Sequence, residues 1–359
     1  MTIVSLILAG GKGERFWPKS RTNFPKQFLN ISGQKSMIQQ TVARLERLMS
    51  IDQVFIITNE MYAELIRMQI PHLKQENILI EPVGRNTAPC IGLAAIQIER
   101  KFPNSTMIVL PSDHIIKDED EFLRIIPVAI KVASYNDNIV TLGITPHYPE
   151  TGYGYLESMG EHEKIDDMDV HRVRRFIEKP TLEDAQRYIQ AGRFYWNSGI
   201  FVWKTNTVFK NIKRHLPEVH DILSNIQLVL GEPNEKDVIG SEFYKMPEES
   251  IDYGIMEKAD DIYVIPCRLG WDDVGSWTVL DRINERDKDG NVTIGNTLVI
   301  DTKRSIIESN SHKLIATLGI EDLIIIDTDD VTLICTKDKA QEVKRLLKEL
   351  RSQQLEEYL

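Results

Sequence analysis

The stretch that decides the fold is Ile3-Val4-Ser5-Leu6-Ile7-Leu8-Ala9-Gly10-Gly11-Lys12-Gly13-Glu14-Arg15. Its first seven residues form a short apolar run, and such a run predicts a buried strand. The run passes directly into a loop that contains three glycines and ends at a cation. Because glycine lacks a Cβ, a loop of this kind can bring backbone N–H groups close to a polyphosphate. We therefore expect a strand that opens into an anion-binding loop.

Similar runs alternate with helical patterns through the first half of the chain. The strand-like runs lie at residues 3–9, 54–58, 78–81, 107–110 and 139–144. Between them, apolar residues recur at helical spacing, as at Ile91, Ala95 and Ile98. This alternation predicts a parallel sheet with helices on both faces. Ligands of such sheets bind beyond the carboxyl ends of the strands, so the glycine loop and Asp113 should lie close together.

The pattern changes at about residue 150. Residues 172–178 and the run from Trp196 to Lys204 predict strands, and Thr181 followed by Asp184 is typical of a helix start. Residues 231–250 are polar and predict a loop.

The last part of the chain has short β-branched runs that begin at residues 297, 305, 313, 323 and 331. Their regular spacing predicts a small all-β unit, with a final helix whose apolar face either docks on that unit or forms a subunit interface. We interpret residues 1–285 as one large domain, in which 150–270 form an insertion or lid that completes the pocket. Residues 286–359 then form a small β-rich domain that ends in a helix.

Composition excludes several classes of function. The net charge of −11 argues against a nucleic-acid-binding surface. No stretch approaches the ~20 apolar residues that a membrane span needs, and the first apolar run lacks the basic flank of a signal peptide. Cys90, Cys267 and Cys335 are widely spaced, which favours neither disulfides nor a zinc site and fits a cytoplasmic protein.

The glycine loop differs from two better-known phosphate loops. A dinucleotide-binding fingerprint needs a third glycine where this chain has Phe16, which disfavours an oxidoreductase, and the P-loop pattern is absent. What remains is G-G-x-G-x-R, followed by Pro18 and by Pro25-Lys26, whose prolines stiffen the backbone. Taken alone, the loop fits a plain strand-to-helix turn as well as it fits a phosphate site.

Several motifs in a fixed order resemble one enzyme family. Residues 10–20, followed by Pro25-Lys26-Gln27, are similar to the signature of sugar-nucleotide pyrophosphorylases. Residues 81–89 and 111–114 resemble the corresponding segments of the GTP-using mannose-1-phosphate guanylyltransferases. Further matches lie at residues 176–180, 196–199, 250–253 and 270–275.

The resemblance implies a Rossmann-like α/β nucleotidyltransferase domain with a mixed, mainly parallel sheet, followed by a β-helix-like domain. It implies transfer of GMP from GTP to α-D-mannose 1-phosphate, which gives GDP-mannose and pyrophosphate. The sugar phosphate would attack the α-phosphorus in line, without a covalent intermediate. Since that phosphate is already ionised, neither a general base nor an enzyme nucleophile is needed. The family also implies a homodimer.

The resemblance assigns residues to each substrate. The nucleotide would be bound by Ala9, Gly10, Gly11, Gly13, Arg15, Lys26, Arg85, Asn86 and Thr87. The sugar phosphate would be bound by Gly154, Glu178, Lys179 and Asn197. The catalytic charges would be those of Arg15, Lys26, Lys179 and Asp113. Without the family, the simplest interpretations are a helix N-cap for residues 85–87 and an ordinary turn for Asn197.

Two aspartates are candidate ligands of Mg²⁺, which prefers oxygen and takes only one or two protein carboxylates. Asp113 is one of them. For the second, Asp272 and Asp273 compete, because neighbours in an extended segment point in opposite directions. The family pattern W-x-D-x-G selects Asp273.

Two alternatives to the guanylyltransferase remain open at this point. The same chemistry with another sugar 1-phosphate or nucleotide is the nearer one. The other is a regulatory subunit that binds sugar nucleotides without turnover. A subunit of that kind is expected to lose metal or cation positions, yet Asp113, Asp273, Lys26 and Lys179 are all present.

Overall fold

In the computed structural model, which describes residues 2–359 and only the backbone of residues 161–162, the first apolar run forms strand β1 (Ile3–Leu8). The other strands are β2 (Val54–Thr58), β3 (Ile78–Ile80), β4 (Thr106–Pro111), β5 (Ile115–Ile116), β6 (Ile139–Ile144), β7 (Tyr155–Ile165), β8 (Met168–Ile177), β9 (Phe194–Lys204), β10 (Ile262–Cys267), β11 (Trp271–Asp272), β12 (Val292–Ile294), β13 (Thr297–Ile300), β14 (Ile306–Ser309), β15 (Ile315–Leu318), β16 (Leu323–Asp327) and β17 (Thr332–Thr336). The helices are α1 (Met37–Glu46), α2 (Glu60–Gln69), α3 (Thr87–Lys101), α4 (Glu119–Ser134), α5 (Leu182–Ala191), α6 (Thr205–His215), α7 (Pro217–Gln227), α8 (Glu235–Phe243), α9 (Leu280–Ile283) and α10 (Val343–Ser352).

The chain divides into two compact units. The first consists of Met1–Gly10, Val42–Ser112 and Ile116–Trp271. The second consists of Gly11–Thr41, Asp113–Ile115 and Asp272–Leu359. The expected domain boundary at residue 285 stays a prediction, because a compact unit is not by itself an independently folding domain.

The first unit is built on one mixed sheet. Within residues 2–359 its strand order is β3-β2-β1-β4-β9-β6-β10-β8-β7. Strands β8 and β9 run opposite to the other seven. Strand β1 lies between the parallel strands β2 and β4, with Ser5 opposite both Val54 and Ile108. The prediction of a mixed, mainly parallel α/β sheet is confirmed.

Apolar side chains on the sheet pack against helices. Val4 and Leu6 of β1 share one core with Ile91 of α3 and Leu223 of α7, and all four are fully buried. The helical pattern around Ile91 and the helix start at Thr181 are confirmed, since the Thr181 side chain accepts a hydrogen bond from the Asp184 N–H. No helix in the described residues 2–359 is both long enough and apolar enough to span a membrane.

The prediction of a loop over residues 231–250 is wrong for the middle of that segment. Helix α8 occupies part of this segment, and its Ile239 and Phe243 are buried in the core of the first unit. These residues are four positions apart and therefore lie on one helical face. The surrounding residues are mostly polar, so the face is too narrow to produce a clear helical pattern in the sequence.

The second unit contains short parallel strands arranged in successive turns. Strands β12, β14 and β16 pair in parallel, and Val292, Ile306 and Ile324 stand in register with their side chains buried. Strands β13 and β15 form a second parallel pair, while β17 pairs antiparallel with β16. The stacked apolar ladder confirms the predicted β-helix-like domain, although β12 was not expected.

Helix α10 packs inside the second unit. Its Val343 and Leu347 are buried in the same core as Ile306 and Ile324 of the β-helix and Phe16 and Trp17 of the glycine-loop segment. The sequence allowed the apolar face of the tail helix either to dock on the β-rich unit or to form a subunit interface. In this structure the face docks on its own unit.

Leu347→Ala should destabilise the protein by about 2–4 kcal/mol, because it removes buried methyl groups and leaves a cavity. The neighbouring Leu346 is 43% exposed, against 4% for Leu347, and provides a matched control. Leu346→Ala should cost less than about 1 kcal/mol. Urea unfolding of both variants measures the difference, and equal losses would contradict this packing of the helix.

Candidate functional site

The glycine loop borders a cavity of about 320 Å³ in the second unit. The charged side chains that line it and matter most are Lys12, Arg15, Lys26, Asp113, Asp273 and Lys344. They come from segments that are far apart in sequence. The structure thus brings the predicted Arg15, Lys26, Asp113 and Asp273 together, and it adds Lys344 from helix α10, which the sequence analysis missed.

Contacts with residues 20–27 hold the glycine loop in place. Gly13 has a left-handed φ of 60°, and a Cβ at this position would lie 2.2 Å from the Cβ of Lys26. Its carbonyl accepts a hydrogen bond from the Ser20 hydroxyl at 2.8 Å, and the Gly11 carbonyl accepts one from the Gln27 amide at 3.0 Å. Only glycine fits at position 13, since both the backbone conformation and the close approach exclude a side chain.

Lys26 joins three segments of the second unit. Its buried ammonium lies 2.7 Å from Asp113 Oδ2 and donates hydrogen bonds to the carbonyls of Asp273 at 2.9 Å and Val274 at 2.8 Å. An ammonium has three N–H donors, and three acceptors surround this one. In this conformation Lys26 positions the cavity wall and has no donor left for a ligand.

Asp113 is held as a carboxylate. Burial on its own would raise the pKa of this group, but the interactions with Lys26 and His114 outweigh that effect and place the pKa below its usual value. The Asp113 carboxylate therefore keeps its negative charge at neutral pH.

The adjacent aspartates point to different partners. Asp272 accepts two hydrogen bonds from the Arg282 guanidinium, at 2.5 and 3.0 Å, and one from the Val274 N–H at 2.8 Å. Asp273 instead lines the cavity, where its Oδ1 accepts from the Gly275 N–H at 3.1 Å. Asp273 thus shares the cavity with Asp113, while Asp272 stabilises the loop.

The donor set fits a hard cation that is only partly held by protein. Among the described residues, no group of three or more His, Cys, Asp or Glu is arranged to hold a metal ion. Asp113 and Asp273 nevertheless present carboxylate oxygens to one cavity. Mg²⁺ commonly takes one or two carboxylates and completes its coordination with water and a bound phosphate.

The remaining cations of the cavity differ in whether they form hydrogen bonds with the protein. Arg15 donates one hydrogen bond to the Gly275 carbonyl at 3.2 Å. Lys12 and Lys344 line the cavity without a hydrogen bond or ion pair to any residue in the described part of the chain. The cavity therefore offers ammonium groups to an anion as well as carboxylates to a cation.

A second polar cluster lies in the first unit and contains the predicted sugar-binding residues. Lys179 lies 2.6 Å from Glu178 Oε1, and its φ of 46° is a strained value for a residue with a side chain. The Asn197 N–H donates to the Gly154 carbonyl at 2.8 Å, and the Asn197 amide donates to Asp252 Oδ1 at 3.1 Å.

Asp252 is a member of this cluster that was not predicted from the sequence. Burial, followed by the negative charge of Glu178, raises the pKa of Asp252 to about 6. Its motif was part of the family resemblance, but the contact with Asn197 joins positions that are 55 residues apart. No local pattern reveals such a contact.

Three of the residues predicted to bind the nucleotide are engaged with the protein, namely Arg85, Asn86 and Thr87. Asn86 Oδ1 accepts from the Thr87 N–H at 2.9 Å, so the helix N-cap expected without the family is present. Thr87 Oγ1 accepts from the Ile251 N–H at 2.8 Å, and Arg85 donates to the Tyr244 carbonyl at 2.5 Å. The bonds of Arg85 and Thr87 connect the start of α3 to residues 244–251.

Glu81 is a further candidate that the sequence analysis missed. A Cβ on Gly10 would lie 2.3 Å from Glu81 Oε1, so the carboxyl group lies directly against Gly10. Burial raises the pKa of Glu81 to about 7, and a hydrogen bond with Cys90 offsets this only in part. Ala9, just before the loop, accepts a hydrogen bond from the Thr58 hydroxyl through its carbonyl at 3.0 Å.

Comparisons with known proteins agree with the sequence resemblance. A family model described as nucleotidyl transferase matches residues 4–290, and a mannoseP isomerase/GMP-like beta-helix domain model matches residues 295–350. The mannose-1-phosphate guanylyltransferase of Salmonella montevideo is 38% identical over 99% of this chain and 76% of its own length. The alginate biosynthesis protein AlgA of Pseudomonas syringae pv. tomato is 35% identical over 98% of this chain and 72% of its own. A solved structure described as a mannose-1-phosphate geranyltransferase from Thermus thermophilus is 32% identical, with a TM-score of 0.87 over 98% of this chain and all of that one.

The different surroundings of Asp272 and Asp273 predict different effects on stability. Asp272→Ala removes a buried carboxylate that accepts three hydrogen bonds, among them one from the buried Val274 N–H, and should cost about 2–4 kcal/mol. Asp273→Ala removes the partly buried hydrogen bond from the Gly275 N–H and should cost less, about 1 kcal/mol. Urea unfolding without nucleotide or metal tests both variants, and a larger loss for Asp273→Ala would reverse these assignments.

Proposed function

Because the chain belongs to the nucleotidyl transferase family, and within it to the mannose-1-phosphate guanylyltransferases, we propose that it transfers GMP from GTP to mannose 1-phosphate. The products are GDP-mannose and pyrophosphate. The observation that carries the proposal is the cavity of the second unit, where two carboxylates and several cations face one space beside a glycine loop. Such a combination suits a metal-bound polyphosphate.

The proposed reaction is one in-line displacement. An oxygen of the sugar phosphate forms a bond to the α-phosphorus of GTP. The bond from that phosphorus to the oxygen bridging to the β-phosphorus breaks, and pyrophosphate leaves with the electron pair. Because the attacking phosphate is already ionised, the protein need not remove a proton. Its contribution is to position two anions that repel each other and to neutralise charge.

Asp113 and Asp273 would hold Mg²⁺, which when bound neutralises phosphate charge and orients the phosphate oxygens. The ion pair with Lys26 keeps Asp113 ionised and in place. We assign Arg15 to the phosphates of GTP. For Lys26 we propose a positioning role in the first place, because its three donors are already engaged.

The cluster in the first unit would bind the sugar phosphate. Lys179 supplies the positive charge for the phosphate group, and Glu178 accepts hydrogen bonds from sugar hydroxyls. Asn197 and the Gly154 backbone hold the sugar, and Asp252 orients the Asn197 amide through the hydrogen bond at 3.1 Å.

Glu81 would read the guanine base. The Watson–Crick edge of guanine carries two adjacent donors, N1–H and N2–H₂, and a carboxylate carries two acceptor oxygens. Adenine presents an acceptor at N1 and would leave the buried carboxylate unpaired, which costs affinity. We propose that the segment of Arg85, Asn86 and Thr87 flanks the base, in keeping with its place at the start of α3.

The family resemblance also supports a homodimer. The apolar face of the tail helix no longer contributes to that proposal, because Val343 and Leu347 are buried in their own unit. We further propose a cytoplasmic location, in keeping with free thiols at Cys90, Cys267 and Cys335.

The purified chain should release pyrophosphate from GTP and mannose 1-phosphate when Mg²⁺ is present and should lose this activity in EDTA. Parallel assays with the four nucleoside triphosphates and several sugar 1-phosphates test the choice of base and sugar. A higher kcat/KM for another pair would favour a pyrophosphorylase of different specificity. Tight binding of GDP-mannose with no turnover of any pair would favour the non-catalytic regulatory subunit.

Glu81→Gln should lower kcat/KM for GTP by about tenfold to a hundredfold, since the amide retains only one acceptor oxygen. In the unchanged protein, the KM for GTP should rise as the pH falls below about 7, where the carboxylate takes up a proton. This pH dependence should be absent from the variant. Initial rates on both sides of neutral pH measure it.

Glu76→Gln is the control for this experiment, because Glu76 is exposed and pairs with Lys101 on the surface. It should leave the kinetics of GTP unchanged. If Glu81→Gln also kept the wild-type KM and pH profile, Glu81 would have no part in recognising the base.

A further inference from the structure

Helix α10 brings a positive charge to the cavity of the second unit. Lys344 follows the buried Val343 and lines the same cavity as the glycine loop, Asp113 and Asp273. Its ammonium has no hydrogen-bond or ion-pair partner among the residues that the structure describes. A lysine on a surface helix is most often solvated, so its orientation has to be explained by what holds the helix.

The helix and the residues after it are anchored to the segment that follows the glycine loop. Val343 and Leu347 share a core with Phe16 and Trp17. The Tyr358 carbonyl accepts hydrogen bonds from the Trp17 indole at 2.6 Å and from the Arg21 guanidinium at 2.8 Å.

A pair between Arg351 and Glu14, at 3.3 Å, links the same two segments, although a half-exposed pair of this kind adds little stability. The apolar contacts and the hydrogen bonds to the Tyr358 carbonyl therefore fix where Lys344 stands relative to the loop.

Two other cations of the cavity are bound to protein or already assigned, so further positive charge is needed for the β- and γ-phosphates. Lys26 is saturated by protein acceptors, and Arg15, which gives one of its five N–H donors to the Gly275 carbonyl, is already assigned to the phosphates of GTP. A nucleoside triphosphate carries most of its negative charge on the β- and γ-phosphates. Two phosphates that become a leaving group need charge-assisted hydrogen bonds from cations that are not already occupied. Lys12 and Lys344 are cations of this kind in the cavity.

We propose that Lys344 binds the β- and γ-phosphates of GTP and holds the pyrophosphate as it leaves. The C-terminal helix is then part of the catalytic machinery and not only a support for the β-helix. This inference rests on the proposed function. It assigns to the second family-matched segment, residues 295–350, a group that touches the substrate.

Lys344→Met tests the proposal, with Lys344→Arg as the variant that keeps the charge. Lys348→Met is the matched control, because Lys348 is exposed one turn further along the helix and does not line the cavity. On the full chain with Mg²⁺, calorimetry measures the binding of GTP, GMP and inorganic tripolyphosphate. Initial rates in the reverse direction give the KM for pyrophosphate.

Lys344→Met should weaken the binding of GTP and tripolyphosphate by about tenfold to a hundredfold, as expected for the loss of a charge-assisted hydrogen bond. The KM for pyrophosphate should rise by a similar factor. GMP binding and the melting temperature should match those of Lys348→Met, and Lys344→Arg should recover most of the affinity.

Equal tripolyphosphate affinity in Lys344→Met and Lys348→Met would overturn the proposal, and so would a parallel loss of GMP binding, since that indicates general damage to the site. The proposed function fails separately, if the unchanged chain releases no pyrophosphate from GTP and mannose 1-phosphate. In that case the tripolyphosphate titration still decides whether Lys344 binds phosphate groups.

Discussion

The cavity of the second unit depends on the buried ammonium of Lys26. A buried charge is costly unless charged and hydrogen-bonding partners surround it. Here the partners are the Asp113 carboxylate and the carbonyls of Asp273 and Val274, which belong to two other segments of the chain. Satisfying one lysine therefore fixes the relative position of three segments. The two carboxylates proposed to bind Mg²⁺ are held in place before any ligand arrives.

This arrangement separates cations that are engaged with protein acceptors from cations that remain available to a ligand. Lys26 is buried and saturated, and the Arg282 guanidinium, although more exposed, donates two hydrogen bonds to Asp272. Lys12 and Lys344 have no such partners in the described chain, and both line the cavity. In phosphoryl transfer the protein contributes mainly fixed charges, and the energy of reorganising them is avoided when they are already oriented. Residue type alone cannot distinguish the two roles, since each set contains lysine.

Local pattern was enough to predict the α/β sheet, the glycine loop and an all-β end of the chain, and the family resemblance added the β-helix-like form of that end. Asp113 and Asp273 were also predicted, because one follows an apolar strand and the other belongs to a recognisable motif. Glu81 and Lys344 were missed, since the importance of each depends on contacts with distant segments. The role proposed for Glu81 rests on its approach to Gly10, about seventy positions earlier in the chain. Helix α8 was missed for a related reason, because its core contacts occupy only a narrow face.

The geometry of the sheet explains why distant motifs could be expected to meet. Leu8 and Pro111 are opposite each other in register, at the carboxyl ends of the parallel strands β1 and β4. The glycine loop and Asp113 follow these residues, so they start from neighbouring points, and a short reach brings them together. No such rule applies to helix α10. Its apolar face packs against Phe16 and Trp17, and the Tyr358 carbonyl, which follows the helix, accepts a hydrogen bond from the Trp17 indole. The sheet topology therefore explains why Asp113 lies near the glycine loop. Side-chain packing explains why Lys344 lies in the same cavity. Only the topology can be predicted from the order of strands and helices in the sequence.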